Sequence, residues 1–314
     1  MPGFWSGKKI LVTGAYGFVG QHLLLALGNR GVTKSQLVLP RSSDCDLRQF
    51  PNCQRAVHGV DVVIHLAVNV GGIGKNQAQP GALLYDNLVM GTQLMEAART
   101  AGVSKFVGIG SVCEYPKFTP VPFRESDLWN GYPEETNAPY GLAKKMMLVQ
   151  GQAYRQQYQF NAIHLLMVNL YGPGDNFDLH TSHVIPAIIR KMVEAKAGNA
   201  SDVTMWGTGS ASREFLFVKD AVEGILLATE RYDGGEPVNM GNGREISIRK
   251  LADLIAQLVG YRGKLIWDAT KPDGQPRRCL DVSLAKKYFG FVATTDFEDG
   301  LQQTIAWYLE NRQP

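Results

Sequence analysis

Lys9-Ile10-Leu11-Val12-Thr13 runs straight into Gly14-Ala15-Tyr16-Gly17-Phe18-Val19-Gly20, and residues 21–29 follow with Leu23, Leu24, Ala26 and Leu27 at helical spacing. A short β-rich run that is apolar on both faces suits a strand inside a parallel sheet. Each glycine after such a strand has its own task. One permits the tight turn, one lets the backbone approach a pyrophosphate, and one lets helix and strand touch. The helix start then offers unpaired N–H groups and a positive dipole end to phosphate oxygens. Strand, Gly14-x-x-Gly17-x-x-Gly20 loop and helix in that order predict a dinucleotide-binding unit, with Gly14, Tyr16, Gly17, Phe18, Val19 and Gly20 around the cofactor.

Downstream the alternation repeats. Gly31 ends the first helix, and Gln36-Leu37-Val38-Leu39 supplies the second strand. Asp61-Val62-Val63-Ile64-His65-Leu66 and Lys105-Phe106-Val107-Gly108-Ile109 are predicted strands on either side of a helix over about residues 83–100. Asn161-Ala162-Ile163-His164-Leu165-Leu166-Met167 is another. This pattern implies an α/β fold, a Rossmann-type doubly wound parallel sheet with right-handed crossovers. The rhythm weakens after Tyr171. A loop-rich stretch to His183, a helix over residues 184–196 and a strand at Val203-Thr204-Met205-Trp206 come next. Glu214-Phe215-Leu216-Phe217-Val218 and a helix over residues 220–229 then read as a return to the first domain. Helices near 248–258 and 296–311 complete a smaller mixed α/β lobe. The expected division is residues 1–170 for the dinucleotide domain, with a return segment near 213–240, and residues 171–314 for an interleaved substrate lobe.

Composition narrows the function classes. Of 314 residues, 45% are hydrophobic and 19% charged, the balance of a folded globular chain. With 32 basic against 29 acidic residues the net charge is +3, and no dense Lys/Arg block points to nucleic acid. Cys45, Cys53, Cys113 and Cys279 lack CxxC or CxxH spacing, so neither a metal site nor a disulfide framework is expected. Apolar runs stop well short of the roughly 18 residues a membrane span needs, and no leader precedes the first strand. The expectation is a cytoplasmic protein with no membrane partner.

The second strand ends in Leu39-Pro40-Arg41-Ser42-Ser43, with no carboxylate before Asp44. A carboxylate there would accept from a ribose 2′-hydroxyl, whereas Arg41 and Ser42 suit a 2′-phosphate, so NADP(H) is the expected cofactor. Tyr140-Gly141-Leu142-Ala143-Lys144 follows Pro139, a residue suited to the first turn of a helix. The i,i+4 spacing puts Tyr140 and Lys144 on one face, where the ammonium is expected to lower the phenol's pKa. Ser111 falls at the end of the Lys105 strand, where open α/β sheets place ligands, and could hydrogen-bond a carbonyl oxygen.

On these residues the chain resembles the extended short-chain dehydrogenase/reductases, the nucleotide-sugar epimerases, dehydratases and reductases. The resemblance is sharpest to the GDP-L-fucose-forming 3,5-epimerase/4-reductases of that family and covers nearly the whole chain. It is carried by Val70-Gly71-Gly72-Ile73, by Ser111-Val112-Cys113-Glu114-Tyr115-Pro116-Lys117 and by Asn169-Leu170-Tyr171-Gly172-Pro173-Gly174-Asp175-Asn176-Phe177. Ser182-His183-Val184-Ile185-Pro186-Ala187, Trp206-Gly207-Thr208-Gly209, Arg213-Glu214-Phe215 and Lys271-Pro272-Asp273-Gly274-Gln275-Pro276-Arg277 extend it.

The resemblance implies roles. Cys113 and His183 match the residues that exchange protons at C3 and C5 beside a C4 ketone. Ser111 and Tyr140 match those on the ketone oxygen, and Lys144 also holds the nicotinamide ribose. Asp46 and Leu47 match positions that cradle the adenine, and Leu66 and Ala67 pass beneath the cofactor. Asn169, Leu170 and His183 complete its contacts. Lys191, Trp206, Arg213 and Lys271 match the grip on a GDP-sugar, and a homodimer is the family's usual assembly. Three departures stand out: Lys191 replaces an arginine, Ala15-Tyr16 replaces a basic residue in the loop, and Ser111-Val112 replaces a serine pair. The implied activity is NADPH-dependent epimerisation and reduction of GDP-4-keto-6-deoxy-D-mannose. The alternatives are action on a related GDP-4-keto sugar such as a deoxyheptose, or a catalytically idle NADP-binding partner protein.

Overall fold

The computed structural model describes residues 3–271 and 273–312, so Pro272 of the last string lies outside the described residues. The first half runs β1 (Ile10–Thr13), α1 (Phe18–Asn29), β2 (Leu37–Val38), α2 (Phe50–Ala56), β3 (Val62–His65), α3 (Ile73–Ala78), α4 (Pro80–Thr100), β4 (Lys105–Ser111) and α5 (Ala138–Tyr158). Then come β5 (Ala162–Met167), β6 (Asn169–Tyr171), α6 (Val184–Ala197), β7 (Asp202–Trp206), β8 (Ser212–Phe217), α7 (Val218–Arg231) and β9 (Val238–Met240). The chain closes with β10 (Glu245–Ser247), α8 (Ile248–Val259), β11 (Lys264–Asp268), β12 (Arg277–Arg278), α9 (Ser283–Phe289) and α10 (Phe297–Asn311).

The main sheet has six strands in the order β2-β1-β3-β4-β5-β9, all neighbours parallel. β1, β3 and β5 are buried along their whole length, which is why their sequences are continuous apolar runs. α1, α7 and α9 cover one face and α2, α4 and α5 the other. α1 illustrates the anchoring. Gly20, Leu23 and Leu27 face the sheet, and each leucine, fully buried, contributes on the order of 1.5–3 kcal/mol. The strand order reverses between β1 and β3, and the crevice at their carboxyl ends is where such sheets bind ligands.

The second lobe surrounds its own core, built from α6, α8 and α10 against β8. Here the strand reading changes. Glu214 to Phe217 does not rejoin the main sheet; β8 pairs antiparallel with β10 and parallel with β12 and β6. The return is made by α7, which packs on α1, and by β9, which adds to β5. A continuous apolar run buried on both faces cannot specify which sheet it joins, because either sheet buries the same residues. No helix among the described residues is long and apolar enough to cross a membrane.

Candidate active site

A cleft of about 510 Å³ opens at the switch between β1 and β3. Gly14, Tyr16, Gly17, Arg41, Ser42, Asp46, Leu47 and Ala67 line it, all expected around the cofactor. The glycines fit a group held close to backbone. Gly14 has φ +68, and a Cβ there would lie 2.8 Å from the Ala67 nitrogen. A Cβ on Gly20 would collide with the Gly14 carbonyl, so the helix could not approach the strand. Gly17 caps α1 without a side-chain hydrogen bond and no acidic residue sits in the first turn, leaving the helix start free for phosphate. Tyr16 supplies a platform: the Arg41 guanidinium stacks 3.6 Å above its ring, while the phenol donates to the Leu39 carbonyl at 3.4 Å. These features fit NADP(H).

Other expected cofactor residues lie off that lining. Phe18 packs edge-on against His22, and Val19 and Leu66 pack on the sheet core. Asn169 and Leu170 sit on β6, paired with Phe215 and Leu216. Asp46 is already engaged, because the Arg48 guanidinium grips it and holds its carboxyl below the usual range. Arg48 also reaches Asp86, and both residues line the cleft although neither was singled out from sequence.

The second group gathers where β4 ends against α5. Ser111 is the last strand residue and caps the short turn Val112–Glu114, its Oγ accepting the Cys113 N–H at 3.2 Å. Gly141 lets the helix press on this turn, since a Cβ there would strike the Cys113 carbonyl. Cys113 thereby faces the first turn of α5, where its charge and that of Glu114 are felt by Tyr140. The Cys113 thiol is half-buried, and Arg278 donates to its sulfur at 3.5 Å. Arg278 is buried and fixed by Gln275 at 2.7 Å, so a permanent positive charge stands beside the thiol. Sequence reasoning missed Arg278; its only trace was its place after the string ending at Arg277.

Burial dominates the electrostatics. It pushes the Tyr140 phenol up, the neighbouring Cys113 and Glu114 add to the rise, and the Ser111 hydroxyl offsets part of it. The expected lowering by Lys144 is therefore corrected. Lys144 is itself 5% exposed, and burial pulls its amine down to about 8, with Glu114 opposing. Behind it His65 is driven down to about 3 by burial and shares a 2.8 Å hydrogen bond with Thr13.

His183 precedes α6 as its N-cap; the residue is exposed, and the protein around its ring lowers its pKa and favours the neutral form. That ring offers one donor and one acceptor nitrogen. The loop before it is tied to Gly72, whose N–H donates to the Thr181 carbonyl at 3.2 Å. Ser182 Oγ beside it is buried and makes no hydrogen bond within the protein, which suits it to a polar ligand group.

The expected sugar-nucleotide residues form two places. Trp206 is 57% exposed, with the Lys191 amine 6.0 Å and the Lys271 amine 5.6 Å from its ring. Lys191 also donates to the Thr204 carbonyl at 2.9 Å. Arg213 stands apart, buried on β8 beside Arg278, and burial lowers it to about 10. Its guanidinium is oriented by the carbonyls of Ser212 at 2.7 Å and Asp273 at 3.1 Å.

Comparison with known proteins matches residues 10–241 to the NAD dependent epimerase/dehydratase family. A putative GDP-L-fucose synthase 2 of Arabidopsis thaliana is 42% identical over 307 residues, covering 96% of this chain and 92% of the relative. Among solved structures, a GDP-6-OMe-4-keto-L-xylo-heptose reductase from C. jejuni superposes with TM-score 0.92 at 26% identity, covering 99% of this chain and 100% of that one. A GDP-L-fucose synthetase from Naegleria fowleri bound to NADP gives TM-score 0.87 at 26% identity, covering 99% and 96%.

Proposed function

The chain belongs to the NAD dependent epimerase/dehydratase family, and on that premise we propose that it is an NADPH-dependent 3,5-epimerase/4-reductase forming GDP-L-fucose from GDP-4-keto-6-deoxy-D-mannose. The observation that carries this reading is the turn bearing Ser111 and Cys113 pressed through Gly141 onto the helix bearing Tyr140 and Lys144, with Arg278 at the thiol.

A C4 ketone acidifies the protons on C3 and C5, and inverting either centre needs a base on one face and an acid on the other. Cys113 and His183 fill these roles. Arg278 places a positive charge beside the Cys113 sulfur, and the His183 ring, neutral at rest, takes up a proton as a base and gives one back as the imidazolium so formed. Ser111 and Tyr140 hydrogen-bond the ketone oxygen as it gathers negative charge. NADPH, when bound along Gly14, Tyr16, Gly17 and Arg41, supplies the hydride for C4. Tyr140, kept as phenol by burial, donates its proton to that oxygen, and the Lys144 ammonium holds the nicotinamide ribose. Arg213 takes a diphosphate oxygen, while Trp206 with Lys191 and Lys271 grips the rest of the nucleotide sugar.

Incubation with the GDP-4-keto sugar and NADPH in D2O tests this. Deuterium is expected at C3 and C5 of a GDP-L-fucose product identified by NMR. Cys113→Ser is expected to abolish deuterium uptake while NADPH affinity stays unchanged. Equal loss of NADPH binding would make Cys113 structural. A second reading, reduction of a related GDP-4-keto heptose, is supported by the likeness to the C. jejuni reductase. Product stereochemistry with both sugars separates the two.

The same reading assigns a homodimer in the cytoplasm. Leu84 and Tyr85 on α4 and Met146 and Val149 on α5 are exposed, an apolar surface suited to a second copy.

A further inference from the structure

Beneath the Ser111–Cys113 turn lies a buried, hydrogen-bonded carboxylate–imidazole couple that the mechanism above does not use. Glu114 is fully buried, and its Oε1 accepts the Ser111 N–H at 2.8 Å. Both of its carboxylate oxygens stand 3.1 Å from Nε2 of His164, itself buried on β5. Space for the couple comes from Gly110, where a Cβ would sit 2.5 Å from Glu114 Oε1 and collide with the imidazole.

We propose that Glu114, braced by His164, is the positioning residue of the catalytic cluster, fixing the Ser111–Cys113 turn and presenting its negative charge to Lys144 on α5. This rests on the assignment of Lys144 and Tyr140 made above. A carboxylate taken wholly out of water is costly unless it is bonded and paired. Here the bonds come from Ser111 and His164. The charges facing it come from α5, where Glu114 acts on Lys144, on Lys145 and on the Tyr140 phenol. Lys145 is committed elsewhere, donating to the Leu128 carbonyl at 2.5 Å. Lys144 has the neutral His65 behind it, so Glu114 is the negative group sustaining its charge. Tyr115, the next residue, gives its hydroxyl to Asn239 at 2.7 Å rather than to the carboxylate, whose charge helps keep it a phenol.

The test is Glu114→Gln, which keeps the shape and an acceptor for Ser111 but removes the charge. Losing a facing opposite charge lowers an amine by about one pH unit. The Lys144 ammonium, titrated by NMR of its Nζ in the ligand-free protein, is therefore expected to deprotonate at lower pH. The alkaline limb of kcat/KM moves with it, which at pH 8 is about a fivefold loss. NADPH affinity measured at pH 6, where Lys144 is charged in both proteins, stays near wild type, and Glu114→Asp restores part of the limb. His164→Gln, which retains a donor, shifts the limb less than Glu114→Gln does. Unchanged Lys144 titration in a folded Glu114→Gln protein overturns the proposal. Absence of wild-type turnover on any GDP-4-keto sugar would instead remove the functional reading, and the NMR titration would still decide this one.

Discussion

Lys144 carries the most consequential charge in the molecule, because burial brings its amine to about 8 and so into the working pH range. The ammonium is complete well below that value and is lost as pH rises through it. Reduction is accordingly expected to lose rate with an alkaline limb near pH 8 in kcat/KM, measured by NADPH consumption across pH. A limb at the ordinary lysine value would show that burial leaves the amine undisturbed. At the other end of the cleft Arg41 rests on Tyr16. Losing a charge-assisted bond to a 2′-phosphate costs about 1.5–3 kcal/mol, so Arg41→Ala should weaken NADPH by roughly 10–100-fold and leave NADH alone. Titration calorimetry with both cofactors decides this, and an unchanged preference removes the phosphate role. Ser111, Tyr140 and Lys144 were legible in the sequence because strand ends and i,i+4 spacing are local. The direction of the Tyr140 shift was not. It depends on how much protein surrounds the phenol, and that is set by residues such as Cys113 and Glu114 folded over it.

Elements meet through glycine where chemistry needs them close. α5 approaches the Cys113 carbonyl only because residue 141 has no side chain. Gly141→Ala would force helix and turn apart, and a displacement near 1 Å costs about a hundredfold in rate. Steady-state kinetics should show that fall in kcat with NADPH affinity retained, whereas full activity would mean that the turn can yield. α1 makes a parallel case at Gly20, which lies inside the helix rather than in the loop before it. The end of α1 at Asn29 was readable from apolar spacing and the start of α5 from Pro139, whereas α1 begins at Phe18, three residues before the helix the spacing indicated. The three-residue β10 and two-residue β12 were not, since strands that short carry no period.

At the scale of the whole molecule there are two cores: the six-stranded sheet holds the dinucleotide loop, and the second lobe carries Trp206, Arg213 and Arg278. The exposed apolar residues on α4 and α5 belong to this scale too. Replacing Tyr85, 61% exposed, by arginine is expected to turn a dimer into a monomer by light scattering while the fold persists. A monomeric wild type would rule out that assembly. The sequence by itself determined the parallel sheet and the glycine loop and placed Ser111 at a strand end and Tyr140 and Lys144 on one helix face, because strand composition, turn chemistry and helical spacing act within a few residues. Only the tertiary structure decided that β8 leaves the main sheet, that Arg278 reaches Cys113 and that Glu114 meets His164. Those contacts join positions as much as 165 residues apart, and their energies depend on burial, which no local pattern encodes.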